Sequence, residues 1–239
     1  MPINQGEQVM YASTIDSYRD APAINQAMGR VYAHMMLAVI TSMVVSMFVG
    51  TNAELVHFFF SGFTKWIVIF APLVAVFIVT PVLANDPSPP VAMAALHGFA
   101  ALMGLSFATI FVIYTLGSIF TAFMGAAVLF GTMSCYGYFT KQSLDSVGKY
   151  AFVALIAICI ASIINIFVGS TVMQMAISAL AIIIFLALTA YDTQTIREMI
   201  SNADSTYGDE VAGALTLYLD FINLFINLLQ LFGITNKDD

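Results

Sequence analysis

Charge is what this sequence has least of. Of its 239 residues, 7 are Lys or Arg and 14 are Asp or Glu, 9% in all, against roughly 25% in an average soluble domain. So few charges cannot cover a water-facing surface. With 60% hydrophobic residues and a mean hydropathy of +0.92, the chain reads as an integral membrane protein. The formal net charge of -7 argues against nucleic acid as a partner and against a polybasic lipid-binding surface. Cysteine is nearly absent. Cys135 and Cys159 both sit inside apolar runs, which excludes a disulfide scaffold and reads as two buried, inert thiols. His34, His57 and His97 are scattered without ligand spacing, so no histidine metal site is expected. Also missing are G-x-S-x-G, H-E-x-x-H and P-loop patterns. Acyl transfer, zinc hydrolysis and nucleotide chemistry therefore have no support; the expectation is a protein that is not an enzyme and needs no cofactor.

What is present is a series of apolar runs of bilayer-spanning length, at about 31–50, 66–84, 91–115, 119–139, 150–168, 172–190 and 211–231. Breakers fall where they stop: Asn85-Asp86-Pro87-Ser88-Pro89-Pro90, Gly117-Ser118 and Gly169-Ser170. Trp66, Tyr114, Tyr136, Tyr138, Tyr150 and Tyr191 lie near run ends, as an aromatic belt requires. The expected fold is an all-α membrane protein of seven transmembrane helices: a cytoplasmic tail over 1–29, a membrane domain over 30–233 and a C-terminal tail over 234–239. With no basic n-region and no small-residue cleavage site, the first span is expected to remain as a signal anchor. An N-terminus in the cytoplasm puts Arg19, Arg30, Lys141, Lys149 and Arg197 inside and only Lys65 and Lys237 outside, which the positive-inside rule favours. Segment 51–65 then becomes an outer loop apolar enough to rest in the interface. The acidic connection 191–210 becomes a solvated cytoplasmic loop. No internal repeat of the kind seen in many transporters is evident.

The last run differs from the others. Gly213, Thr216, Asp220, Asn223, Asn227 and Gln230 follow at steps of three and four, one stripe of a helix otherwise Leu, Phe, Ile and Tyr. Unpaired polar groups in hydrocarbon cost several kcal/mol, so this helix is expected to be surrounded by others. Asp220 alone among the acidic residues sits well inside a span, about 13 Å deep at 1.5 Å per residue. Asp192 sits at the end of the sixth run. If that helix continues through 193–199, the two carboxyls can meet. Two such groups in contact share a proton, which makes them a pH-sensing pair and oxygen ligands for a hard cation such as calcium. Thr216, Asn223 and Asn227 are candidates to line a pathway beside them. The alternative for each is structural: a buried Asp, or an Asn165, Asn223, Asn227 or Gln230, that only bonds a neighbouring helix.

At Thr189-Ala190-Tyr191-Asp192-Thr193-Gln194, and at Gly213-Ala214-Leu215-Thr216-Leu217-Tyr218-Leu219-Asp220-Phe221-Ile222-Asn223-Leu224-Phe225, the chain resembles the Bax inhibitor-1 family, above all its bacterial inner-membrane members. Met133-Ser134-Cys135-Tyr136-Gly137-Tyr138-Phe139-Thr140-Lys141 and Ala161-Ser162-Ile163-Ile164-Asn165 extend the similarity, which covers roughly 20–233. The resemblance implies a seven-helix fold with the C-terminal helix central and wrapped by the other six. It also implies a pH-sensitive calcium leak with Asp192 and Asp220 as the sensing pair. Some family members carry an arginine near the end of the second span that latches onto the pair; here 79–86 reads VTPVLAND, without one.

Three classes of function follow. The leading one is a passive leak for calcium or another cation in the bacterial inner membrane, gated by protonation of Asp192 and Asp220, with the opening pH left undecided. An intramembrane aspartyl protease would need Gly-x-Gly before its second Asp and a Pro-Ala-Leu motif, and neither is present. The third is a protein without transport that binds a membrane protease or other membrane protein, in quality control or stress survival, as related bacterial proteins do.

Overall fold

The computed structural model describes residues 20–235. Most of the expected N-terminal tail, with Arg19, and the end of the C-terminal tail, with Lys237, lie outside the described residues. Among the described residues the regular elements are helices: α1 (Ala21–Gly50), α2 (Ala53–Phe60), α3 (Thr64–Ala84), α4 (Pro89–Ser106), α5 (Ile110–Ile113), α6 (Leu116–Phe139), α7 (Asp145–Val168), α8 (Thr171–Ser201) and α9 (Tyr207–Phe232). With α4 and α5 forming one interrupted span, 7 segments are long and apolar enough to cross a membrane. The architecture is the all-α, seven-span one that the apolar runs predict.

Several boundaries differ from hydropathy, for local reasons. α1 starts at Ala21 rather than near residue 30, because the Asp20 side chain caps it by accepting from Ala23 N at 3.2 Å. Pro22 then occupies the first turn, where its missing N–H has no partner to lose. Segment 51–65 is not a plain loop: Asn52 accepts from Glu54 N and Leu55 N and starts α2. α8 runs past the apolar edge at 190 to Ser201, so the connection to α9 shrinks to 202–206. Thr206 and Asp209 close a capping box on α9. Beyond α9, Ile234 bonds back to the turn before α6, donating to Ser118 Oγ at 2.9 Å and accepting from Thr115 N at 3.1 Å.

Of the spans, α9 is the most deeply enclosed. Its apolar window is 61% buried, against at most 33% for any other. It touches α1, α3, α4, α6 and α8 directly, while among the described helices α7 packs only on α8. In lipid there is no hydrophobic gain from bringing helices together, so close packing must hold them. Phe221 supplies some of it, meeting Phe123 and Phe130 edge-on with centroids 5.3 and 5.8 Å apart. Outward faces carry Phe77, Ile166 and Phe167, as lipid contact requires. Both cysteines are exposed, contrary to the expectation that they are buried. An apolar run places a residue in the membrane but does not say which face it takes, and a thiol suits lipid as well as a core.

Candidate functional site: an acid recess between three helices

Four successive residues of α8 reach four different neighbours, because each helical residue turns the side chain by about 100°. The Tyr191 ring lies against α7 at Gly148, where a Cβ would fall 2.5 Å from it. Asp192 faces α9. Thr193 is fully buried and its hydroxyl lies 3.0 Å from Ser134 Oγ on α6, which in turn bonds Tyr32 of α1. Gln194 pins the loop before α7: its Oε1 accepts from Leu144 N at 2.8 Å and its Nε2 donates to Gln142 O at 2.9 Å. Close approach of α6 is secured at Gly137, where a Cβ would fall 2.1 Å from the Ala190 carbonyl oxygen.

On α9 the motif is divided the same way. Tyr218 is fully buried and its hydroxyl meets Ser42 Oγ of α1 at 2.6 Å. Two residues on, Asp220 turns to α8 and is 4% exposed. The Asp192 and Asp220 carboxyls lie within hydrogen-bonding reach of each other. As two carboxylates neither can donate, and Asp220 Oδ2 is buried with no partner among the described residues. A single proton shared between them would supply the missing donor and remove the repulsion between two like charges.

The pair sits in a recess of about 660 Å³. Thr216 and Asn223 line it from α9, and Gly148, Lys149 and Cys159 from α7. Asn223 Nδ2 donates to Leu219 O at 2.8 Å, which leaves the amide oxygen as its acceptor for a ligand. The Thr216 hydroxyl donates to Ala212 O at 3.2 Å. Asn227 does not line the recess; it lies one turn further along and donates to Asn223 O at 2.8 Å. Gln230 closes the stripe by accepting from Gln174 Nε2 and Ser178 Oγ, both at 2.9 Å, and Gln174 accepts from Asn165. These last are interhelical bonds. No group of three or more His, Cys, Asp or Glu that would hold a metal ion occurs among the described residues.

A second polar cluster joins α1 to the start of α9. Glu210, in the segment expected to be solvated, is 3% exposed and takes two bonds from Arg30 of α1, from Nε at 2.7 Å and from Nη2 at 2.6 Å. Tyr207 Oη lies 3.3 Å from His34 Nε2 beside it. The available signal was spacing: Arg30 is a cation at the head of the first apolar run, and Glu210 precedes the last by one residue.

Residues 24–237 match the family model described as "Inhibitor of apoptosis-promoting Bax1". The chain is 35% identical over 211 residues to inner membrane protein YbhL of Escherichia coli K12, covering 86% of this chain and 90% of the relative. A membrane protein of Streptococcus pyogenes serotype M3 is 41% identical over 152 residues, 63% of this chain and 66% of that protein. An uncharacterized protein of Rickettsia prowazekii is 34% identical over 217 residues, 88% of this chain and 90% of that protein. Seven apolar helices, the paired aspartates in their two motifs and a family match over most of the length agree: the chain belongs to the Bax inhibitor-1 family.

Proposed function

We propose that this protein is a pH-sensitive calcium leak of the bacterial inner membrane, with its N-terminus in the cytoplasm, gated by the proton that Asp192 and Asp220 share. The observation that carries the reading is the meeting of the two carboxyls, one with an unpartnered buried oxygen, at an open recess on the most enclosed helix. Holding one proton, the pair is a charge-assisted clamp between α8 and α9. Losing that proton sets two negative charges against each other; gaining a second removes the charge that strengthens the bond. Either change releases α9 from α8, so the path is tightest in the one-proton window.

Calcium suits the chemistry of the recess. Two carboxyls, the Asn223 amide oxygen and the Thr216 hydroxyl form a small set of hard oxygen donors. Fewer protein ligands than a storage site provides is what conduction needs, since the ion must leave as readily as it enters. Beyond the recess, Asn227 continues the polar stripe as the next step of the path.

The test is calcium flux into proteoliposomes across pH 5 to 8. Wild type is expected to carry a pH-dependent flux that becomes pH-insensitive in Asp192→Asn and in Asp220→Asn. Wild-type flux no greater than that of empty liposomes, or variants that respond to pH as wild type does, would end this reading.

A further inference from the structure

The acid recess has a cation of its own. Lys149 lines it together with Asp192 and Asp220, and the rest of its lining contains no Asp, Glu, Lys, Arg or His. Among the described residues Lys149 enters no salt bridge, whereas Arg30 and Glu210 form one. Asp145, one turn back on α7, accepts from the Ser143 hydroxyl at 2.9 Å. Lys149 is exposed at the rim of the recess, and its stretch of backbone is placed there by the motif that carries Asp192. Tyr191 packs on Gly148, next to it in the chain, and Gln194 fixes the loop from which α7 rises. A four-carbon stem gives its ammonium the reach to extend toward the oxygens or retreat to the membrane surface.

An ammonium carries three donors and no acceptor, and it seeks the oxygens that a hard metal ion seeks. The polar and titratable groups that line the recess with it are Asp192 and Tyr191 from α8, Asp220, Asn223 and Thr216 from α9, and Cys159 of α7. Lysine and ion compete for one set of ligands. We propose that Lys149 is the tethered counter-ion of the acid recess and that a metal cation enters only by displacing it. A singly charged ion offers the carboxyls no more than the ammonium does, and the ammonium is tethered within reach of them. A divalent ion offers twice the charge. Lys149 therefore acts as the filter that selects divalent over monovalent cations. This rests on the reading of the recess as the cation's path.

The experiment is manganese binding to the full chain in lipid nanodiscs, read by electron paramagnetic resonance at one fixed pH with and without excess potassium. Lys149→Gln is expected to bind Mn2+ about tenfold more tightly than wild type, the scale of one unit charge removed near a partly wet site. Potassium should weaken Mn2+ binding in Lys149→Gln and leave wild type unaffected, while Lys149→Arg behaves as wild type. Adding Asp192→Asn and Asp220→Asn to Lys149→Gln should abolish binding. Equal affinity in wild type and Lys149→Gln, no Mn2+ bound by either, or binding that survives loss of both carboxyls overturns the proposal. Wild-type proteoliposomes without calcium flux, alongside tighter Mn2+ binding in Lys149→Gln, would refute the leak and leave the counter-ion standing.

Discussion

Tyr191, Asp192, Thr193 and Gln194 each answer to a different neighbour, so a change at one should act through that neighbour alone. Replacing Gln194 with Met leaves the Leu144 N–H without its acceptor, at a cost of about 1–3 kcal/mol. A lowered thermal midpoint in detergent is expected, and an unchanged one would contradict the assignment. Gly148→Ala forces a Cβ to within 2.5 Å of the Tyr191 ring and should cost about 1–3 kcal/mol by overpacking. Tyr191→Ala, which removes the ring, should rescue Gly148→Ala when the pair is tested as a double-mutant cycle. Asp220 was legible in the sequence because acids inside apolar runs are rare and costly, whereas Asp192, at the end of its run, stood out only through the motif that carries it. The role of Gln194 was not, since both its partners are backbone atoms whose position depends on the fold of 142–144. The exposure of Cys135 and Cys159 was equally hidden, because hydropathy carries no phase where a run is apolar all round.

At the scale of the helix, what matters is where α8 and α9 begin and end. Hydropathy stops α8 at about 190, yet the helix carries Asp192 onward to Ser201. Its last turns are polar, but Ser134 and the 142–144 backbone take up Thr193 and Gln194, so the helix need not end where apolarity does. That continuation is the condition under which the two carboxyls meet. The start of α9 is fixed by a Thr206–Asp209 capping box and by the grip of Arg30 on Glu210. Arg30→Met removes two charge-assisted bonds from a buried carboxylate and should destabilise the protein by about 2–3 kcal/mol. The double variant Arg30→Met with Glu210→Met should recover part of that loss, because an apolar pair leaves no buried charge to compensate. Equal stability of the single and double variants would show that the pair does not hold α1 to α9.

Over the whole molecule, the stripe of small and polar residues in the last run predicted a surrounded helix, and α9 has that burial. Which spans surround it was not legible: packing order among apolar helices depends on close approaches such as Gly137 against Ala190, which a lone sequence does not pair. Seven spans put Ser88 and Gln142 at the end where α1 starts and Gly62 at the other. With Cys135 and Cys159 replaced by Ser, single cysteines at 88 and 142 should resist an impermeant maleimide in intact cells while one at 62 reacts. The reverse pattern would invert the proposed orientation.

The account turns on one proton coupling the aspartate pair to calcium passage. The most direct test follows both quantities in one proteoliposome preparation: calcium flux, and the infrared carbonyl band of the protonated carboxyl, across the same pH series. The account predicts that flux is lowest over the pH window in which the one-proton band is present and rises as that band changes. It also predicts that the band and the pH dependence disappear together in Asp192→Asn and in Asp220→Asn. A flux whose pH response is displaced from the band, or that keeps its response when the band is gone, would contradict it.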